Sequence, residues 1–186
     1  MTGTDGRYIG LGMIIRPHRR ADADRIADLL ADGWRDAYAR FMPAGYLARQ
    51  SDRVHRRAEI AEWLDDDFDA AAEAIFVAEE QGDVLGFIHM TLGDKGNLGA
   101  TGVVNLLYVD ATRHGRGIGR SLMAAGARWL LDTRPGPLAL SAFKLNPHRA
   151  FYAALGGAEC SEITHMVAGT QLVSVLYRWA DPAALL

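Results

Sequence analysis

The feature that most constrains this chain is a glycine-rich turn between an apolar strand and a helix. Residues 106–123 read LLYVDATRHGRGIGRSLM, with glycine at every second position from 115 to 119. At the start of a helix the backbone N–H groups lack intrahelical partners and carry the positive end of the helix dipole. Glycines let a ligand approach them closely, so the turn predicts a phosphate or diphosphate site. The alternative is that the glycines only permit a tight connection.

The spacing of these glycines limits the type of phosphate ligand. A dinucleotide fingerprint requires G-x-G-x-x-G in a β-α-β unit, whereas here the third glycine comes one residue early. A P-loop requires a Gly-Lys pair, and the only two lysines are Lys95 and Lys144, neither of which follows a glycine. Arg113, Arg116 and Arg120 supply local positive charge around the turn.

Length and composition predict one domain with a single core. The chain has 186 residues, 49% of them hydrophobic, and a net charge of −3. We expect a domain at 13–182 after a flexible leader at 1–12. The charge argues against a nucleic-acid or membrane partner, and no apolar run approaches the ~18 residues of a spanning helix. The single cysteine, Cys160, excludes an internal disulfide, and we expect it to be buried in a cytoplasmic protein. A homodimer is compatible with these features.

Hydrophobic periodicity predicts eleven elements in the order β-α-α-β-β-β-α-β-α-β-β, which is an α+β fold. We expect the second helix to be capped by Ser51 and to place Val54, Ala61 and Leu64 on one side. The predicted strands are 13–16, 74–78, 84–91, 103–109, 138–143, 158–165 and 172–179, and the predicted helices are 21–41, 52–64, 116–132 and 147–155.

Two motifs in this order resemble the GNAT superfamily of acetyl-CoA-dependent N-acetyltransferases. That family has Arg or Gln, two residues, then G-x-G or G-x-A directly after the strand written LLYV here, and this chain has HGRGIG at 114–119. The departure is His114 in place of Arg or Gln. NPHRAFYAALGG at 146–157 is similar to the family's N-x-x-A-x-x-F-Y-x-x-x-G-F, with Gly157 in place of the aromatic residue. The resemblance covers about 13–179 and includes IRP at 15–17, Trp34 with Tyr38, and VLGF at 84–87.

The resemblance implies a mixed, mostly antiparallel sheet of about seven strands, flanked by about four helices and splayed at the two parallel central strands. It also implies acetyl-CoA as co-substrate and no metal. The pantetheine arm would lie in the splay and bond to the strand backbone. The implied cofactor-binding residues are Leu107, Tyr108, Val109, His114, Gly115, Arg116, Gly117, Ile118, Gly119, Arg120, Ser121 and Asn146. For Asn146, capping of the helix that begins at Pro147 is an equally good alternative.

Tyr152 is the implied catalytic general acid. A phenol can protonate the departing thiolate only while charge develops on the sulfur or where the site lowers the pKa of the phenol. Without the motif, Tyr152 would be interpreted as a packing aromatic. No side chain is assigned as the base, since many family members use a Glu at the position of Val103.

Four residues are candidates for the acceptor site: Trp34, Tyr38, His89 and Asn105. For Trp34 a core residue is the better interpretation, and for His89, as for His165, a satisfied or surface histidine. The resulting hypothesis is an acyl-CoA-dependent N-acyltransferase, acetyl by expectation, in which a primary amine attacks the thioester directly in a ternary complex. Its alternative is an acyl-CoA-binding sensor with little or no turnover, which the missing Glu motivates.

Overall fold

The computed structural model describes residues 12–186, in which seven strands form one mixed sheet. Their order in the sheet is β1-β2-β3-β4-β5-β7-β6, with β4 and β5 parallel and every other neighbouring pair antiparallel. The predicted mostly antiparallel α+β sheet is therefore confirmed. The predicted leader lies outside the described residues except for Gly12. The strands are β1 (Met13–Pro17), β2 (Glu73–Glu80), β3 (Asp83–Leu92), β4 (Gly102–Val109), β5 (Leu138–Phe143), β6 (Ala158–Val167) and β7 (Thr170–Trp179).

Five α-helices occur in the described residues, one more than the number of helices that the sequence predicted. They are α1 (Ala23–Tyr38), α2 (Ala44–Gln50), α3 (Arg53–Glu62), α4 (Ile118–Thr133) and α5 (Ala150–Ala154), and a π-helical turn at Trp63–Asp67 extends α3. The unpredicted helix α2 begins directly after Pro43, which sequence reasoning treated only as the end of α1. None of the helices in residues 12–186 is long and apolar enough to cross a bilayer.

The cap of α3 was predicted one residue too early. Asp52 caps this helix through bonds from the Val54 and His55 amides, while the Ser51 hydroxyl donates to the Leu47 carbonyl at the end of α2. In α3 Val54 is 80% exposed, whereas Arg56 and Ile60 are buried, so Val54 lies on the solvent side.

Two other local predictions were wrong. Helix α5 begins at Ala150, because residues 147–149 form a separate turn after Asn146. Cys160 is exposed, because β6 lies at the edge of the sheet and most of its residues face solvent.

The core has two layers, one on each face of the sheet. On one face α4 packs Leu122, Met123 and Leu130 against β3 and β5, and on the other α1 packs Ile26 and Leu30 against Phe87 of β3. Because side chains alternate along a strand, β4 contributes to both layers. Leu107 and Val109 pack towards α4, whereas Leu106 and Tyr108 pack towards α1.

The parallel strands β4 and β5 separate after a short paired segment. They pair only at residues 102–104 of β4 and 138–140 of β5. At this point the register of β4 on β3 shifts, since Leu106 is opposite His89 and Val104 is opposite Met90, which leaves Asn105 as an extra residue in a bulge. A bulge bends the strand that carries it. The edge of β4 beyond Val104 therefore has no partner on β5, and the predicted splay is confirmed.

Helix α1 approaches β4 closely at Gly33. A Cβ atom at this position would overlap the ring of Tyr108, whereas one at Gly45 in α2 would meet nothing within 4 Å. Both glycines are helical, so the pair separates steric cost from helix propensity.

We expect Gly33→Ala to lower the free energy of unfolding by about 1–3 kcal/mol, the usual cost of overpacking. Gly45→Ala should leave it unchanged or raise it by up to about 1 kcal/mol, because alanine is the better helix former. Urea unfolding of both variants measures the difference. Equal midpoints would contradict the close contact between Gly33 and Tyr108.

Candidate functional site

A cleft of about 590 Å³ opens where β4 and β5 separate. Its walls are the free edge of β4, the turn before α4, the start of α5 and the end of α1. Arg116 and Ser121 do not line it. The predicted cofactor-binding residues that do are Leu107, Tyr108, Val109, His114, Gly115, Gly117, Ile118, Gly119, Arg120 and Asn146.

The glycine-rich turn has the backbone conformation that requires glycine. Gly115 and Gly117 have φ values of +79° and +80°, in the left-handed region that other residues rarely adopt. Helix α4 starts directly afterwards, and the Ser121 amide donates to the Gly117 carbonyl. The N–H groups of the first helical turn, at Ile118, Gly119 and Arg120, have no helical partner. These N–H groups are free to donate to an anion at the wall of the cleft.

The three arginines around this turn have different roles. Arg113 and Arg120 line the cleft. The Arg116 guanidinium instead pairs with Glu80 of β2 at 2.8 Å, which removes it from the cleft and ties the turn to the sheet. The expected cofactor contact of the Arg116 side chain is therefore not supported. A cofactor contact of Ser121 is not supported either, because Ser121 lies one turn into α4 and its amide already donates to the Gly117 carbonyl.

His114 and Asn146 hold the turns on either side of the cleft. The ring Nε2 of His114 donates to the Val109 carbonyl at 3.1 Å, so this histidine fixes the turn after β4. The Asn146 side-chain oxygen accepts from the His148 amide at 2.8 Å. Asn146 thus caps the turn before α5, as the alternative expected, and also lines the cleft.

Tyr152 of α5 lines the cleft and packs among aromatic rings. Its ring lies 5.5 Å from that of Tyr177 and 5.4 Å from that of Phe151, centroid to centroid. Burial raises the pKa of its phenol, and the neighbouring phenols of Tyr38 and Tyr177 raise it further. The route in which the site lowers this pKa is therefore contradicted.

Tyr38 is the part of an aromatic cluster that reaches the cleft. Its ring lies 4.8 Å from that of Trp34, 5.7 Å from Phe41 and 5.5 Å from Phe143, all edge to face. Burial raises the pKa of the Tyr38 phenol, and a hydrogen bond with Tyr108 opposes this shift. Trp34 does not line the cleft. It packs against Tyr38 and the core layer beneath α1, as its interpretation as a core residue predicted.

His89 lies away from the cleft. It is buried, its Nε2 is 2.7 Å from a carboxylate oxygen of Glu73, and its ring packs on Trp63 at 4.7 Å. Burial is the main cause that lowers the pKa of His89, and Glu73 opposes it. His89 is thus the satisfied histidine of the alternative interpretation.

Asn105, the last acceptor-site candidate, lines the cleft, and its side-chain amide donates to the Thr91 hydroxyl at 3.0 Å. At the position of the family's Glu this chain has the buried Val103, which carries no carboxylate. His165 is half-buried against Phe143 and does not line the cleft.

Sequence reasoning missed two polar residues of the cleft wall, Asp36 and His148. They meet across it, with His148 Nε2 2.9 Å from Asp36 Oδ2. They are 112 positions apart in the chain, and no motif links them.

Comparisons with known proteins agree with this fold. Residues 71–156, which include β4, the glycine-rich turn and α5, match the family described as "Acetyltransferase (GNAT) domain". The chain is 28% identical over 172 residues to the uncharacterized N-acetyltransferase YuaI of Bacillus subtilis. The aligned region covers 92% of this chain and 95% of the relative.

Two solved structures show the same fold. A GCN5-related N-acetyltransferase from Rhodopseudomonas palustris superposes with a TM-score of 0.69 at 19% identity, covering 94% of this chain and 99% of that one. The acetyltransferase yncA from Salmonella typhimurium, solved with its cofactor acetyl-CoA, gives 0.64 at 18% identity over 91% and 94% of the two chains. With the splayed sheet and the glycine-rich turn at its centre, the chain has the fold of these N-acetyltransferase structures, and its residues 71–156 are similar to the GNAT acetyltransferase domain.

Proposed function

We propose that this protein is an acyl-CoA-dependent N-acyltransferase that transfers acetyl from acetyl-CoA to a primary amine, in the cytoplasm, by direct attack in a ternary complex. The observation that carries the proposal is the cleft, which combines an unpaired strand edge, a helix N-terminus and a buried phenol. The acetyl-CoA in the yncA structure supports the choice of cofactor.

The cleft offers a complementary group to each part of the cofactor. The diphosphate would lie against the free N–H groups at 118–120, with Arg113 and Arg120 beside it. The amides of the pantetheine arm would bond to the β4 backbone at Leu107 and Val109, much as a peptide adds to a sheet edge. Asn146 would contact the arm from the opposite wall. This arrangement directs the thioester towards Tyr152 and Tyr38.

The reaction needs little besides positioning and proton transfer. The amine nitrogen attacks the thioester carbonyl carbon, a C–N bond forms and the C–S bond breaks. Holding both reactants in one cleft removes the entropic cost of their encounter. The surplus proton of the amine would leave through water held near Asn105, because Val103 offers no base. Tyr38 forms the wall that the acceptor contacts.

Tyr152 would protonate the departing sulfur. Since burial raises its pKa, the phenol carries its proton throughout the neutral range. An unperturbed phenol, with a pKa near 10, is already a weaker acid than a thiol with a pKa of about 8.5. Proton transfer therefore has to accompany C–S cleavage, when negative charge builds up on the sulfur beside the hydroxyl.

One observation favours a second candidate function, a sensor that binds acyl-CoA without turnover. The position of the family's Glu is the buried apolar Val103. A thiol-release assay with acetyl-CoA and a panel of primary amines separates the two functions, because only the enzyme releases CoA in proportion to added amine.

Cofactor binding has a matched test in two glycines with the same backbone conformation. Gly117 in the cleft and Gly169 in the β6–β7 turn have φ values of +80° and +81°, and a Cβ at either would meet nothing within 4 Å. Valine causes the same backbone strain at both, but only at position 117 does it occupy space beside the diphosphate.

We expect CoA to raise the Tm of the wild type and of Gly169→Val, but not of Gly117→Val. Stabilisation by a ligand at one hundred times its Kd is about 2.7 kcal/mol. NAD and ATP should have a much smaller effect on the wild type. A normal CoA response of a folded Gly117→Val protein would contradict the assigned diphosphate site.

The raised pKa of Tyr152 can be measured from tyrosinate absorbance. At pH 10 the folded wild type and Tyr152→Phe should absorb almost equally, because the Tyr152 phenol is still protonated. In denaturant at the same pH the variant should show about half a tyrosinate per chain less than the wild type, since an unperturbed phenol has a pKa near 10. A half-equivalent difference already in the folded proteins would show that the phenol is not perturbed.

Tyr152→Phe should lower kcat by roughly 10²–10⁴-fold while CoA affinity stays within a few-fold. The ring and its packing remain, so the loss belongs to the transition state. The loss of kcat should be smaller with an acyl donor whose leaving thiol is more acidic. Wild-type turnover in this variant, with chemistry shown to be rate-limiting, would make Tyr152 a packing residue only.

A further inference from the structure

Three side chains with metal-binding atoms meet at one side of the cleft. Asp36 comes from α1, His114 from the turn before α4 and His148 from the turn before α5. Their donor atoms lie within 4.8 Å of one another, and all three residues are exposed and line the cleft. Among residues 12–186 this is the one group of three His, Cys, Asp or Glu donors so arranged.

The hydrogen bond of His114 prepares its ring to bind a metal. Nε2 lies 3.1 Å from the Val109 carbonyl, which can only accept, so Nε2 carries the proton. In the neutral ring Nδ1 then has a free lone pair. Metal-binding histidines commonly donate their other ring N–H to a carbonyl or carboxylate in this way, which fixes the orientation of the ring.

The other two donors are already at about the right separation. His148 Nε2 and Asp36 Oδ2 are 2.9 Å apart, and ligands 2.0–2.1 Å from a tetrahedral ion lie about 3.3 Å from each other. A cation can therefore replace the shared proton with little movement of either side chain. The rings of His114 and His148 are 5.2 Å apart and nearly perpendicular, so both approach the same space.

We propose that Asp36, His114 and His148 bind one divalent transition-metal ion of the zinc class. Two imidazole nitrogens and one carboxylate oxygen suit zinc and its first-row neighbours, whereas Mg²⁺ and Ca²⁺ prefer oxygen ligands alone. Three protein ligands leave a fourth position for water or another ligand. The ion would join α1 to the two turns that border the cleft.

The ion would also strengthen cofactor binding, a consequence that rests on the proposed function. His114 directly precedes Gly115, so the metal would lie beside the site assigned to the diphosphate. Its charge and its open coordination position both attract phosphate oxygens. By linkage, CoA must increase zinc affinity by the same factor that zinc increases CoA affinity.

Equilibrium dialysis of untagged protein against Zn²⁺ tests the site itself. We expect about one ion per wild-type chain and affinity at least about tenfold lower in His114→Asn, His148→Asn and Asp36→Asn. The controls are His55→Asn, a histidine in α3 outside the group, and Cys160→Ser, which removes the exposed thiol; both should bind like the wild type. Melting curves in chelator confirm that each variant is folded.

Co²⁺ provides an independent spectroscopic measurement. The wild type should show visible absorption bands of a low-coordinate Co²⁺ site that are absent in His148→Asn and retained in His55→Asn. Equal metal binding by the wild type and His148→Asn, or no binding by the wild type, would overturn the proposal and leave Asp36 and His148 as a hydrogen-bonded pair only.

CoA titrations in chelator and in Zn²⁺ separate this inference from the proposed function. Absence of CoA binding in chelator as well as in zinc would contradict the proposed function while leaving the zinc result intact. Binding in chelator that zinc tightens several-fold supports the coupling, and binding that zinc weakens or leaves unchanged overturns it.

Discussion

The separation of β4 from β5 is the constraint on which the rest of the site depends. Three residue pairs hold the parallel strands together, and the bulge at Asn105 then turns the free part of β4 away. A buried strand edge with unpaired amides and carbonyls costs free energy unless something bonds to it. In this fold the unpaired edge faces an open cleft, so a ligand with amides of its own can take the place of the missing strand.

The surroundings of this edge supply the other requirements of the chemistry. Glycine at 115 and 117 permits the turn that starts α4 at the cleft, and Arg116 fastens the turn to β2 through Glu80. Tyr108 links the edge to the opposite layer, because its ring packs closely against Gly33 of α1. The strand assigned to the cofactor and the helix assigned to the acceptor are thus in direct contact.

The sequence predicted those parts of the structure that local chemistry determines. The glycine-rich turn, the strands and the residues along β4 follow from spacing and apolar runs, and Tyr152 from a motif within one helix. It did not predict α2, because Pro43 can end one helix and begin another. It misplaced Cys160, because an apolar-looking strand can still lie at a sheet edge. It separated Asp36 from His148, since only the folded sheet brings positions so distant in the chain together.

The short pairing of β4 with β5 divides the sheet into two leaves with a narrow hinge. Strands β1 to β4 form one leaf with α1 against it, and β5 to β7 form the other with α5. Side chains bridge the leaves at Tyr38 with Phe143 and at Asp36 with His148. On the cleft side these contacts hold the leaves together, while on the other face α4 packs against both of them. A substitution at any of the bridging contacts would alter the angle between the leaves, and with it the distance between the acid and the acceptor wall.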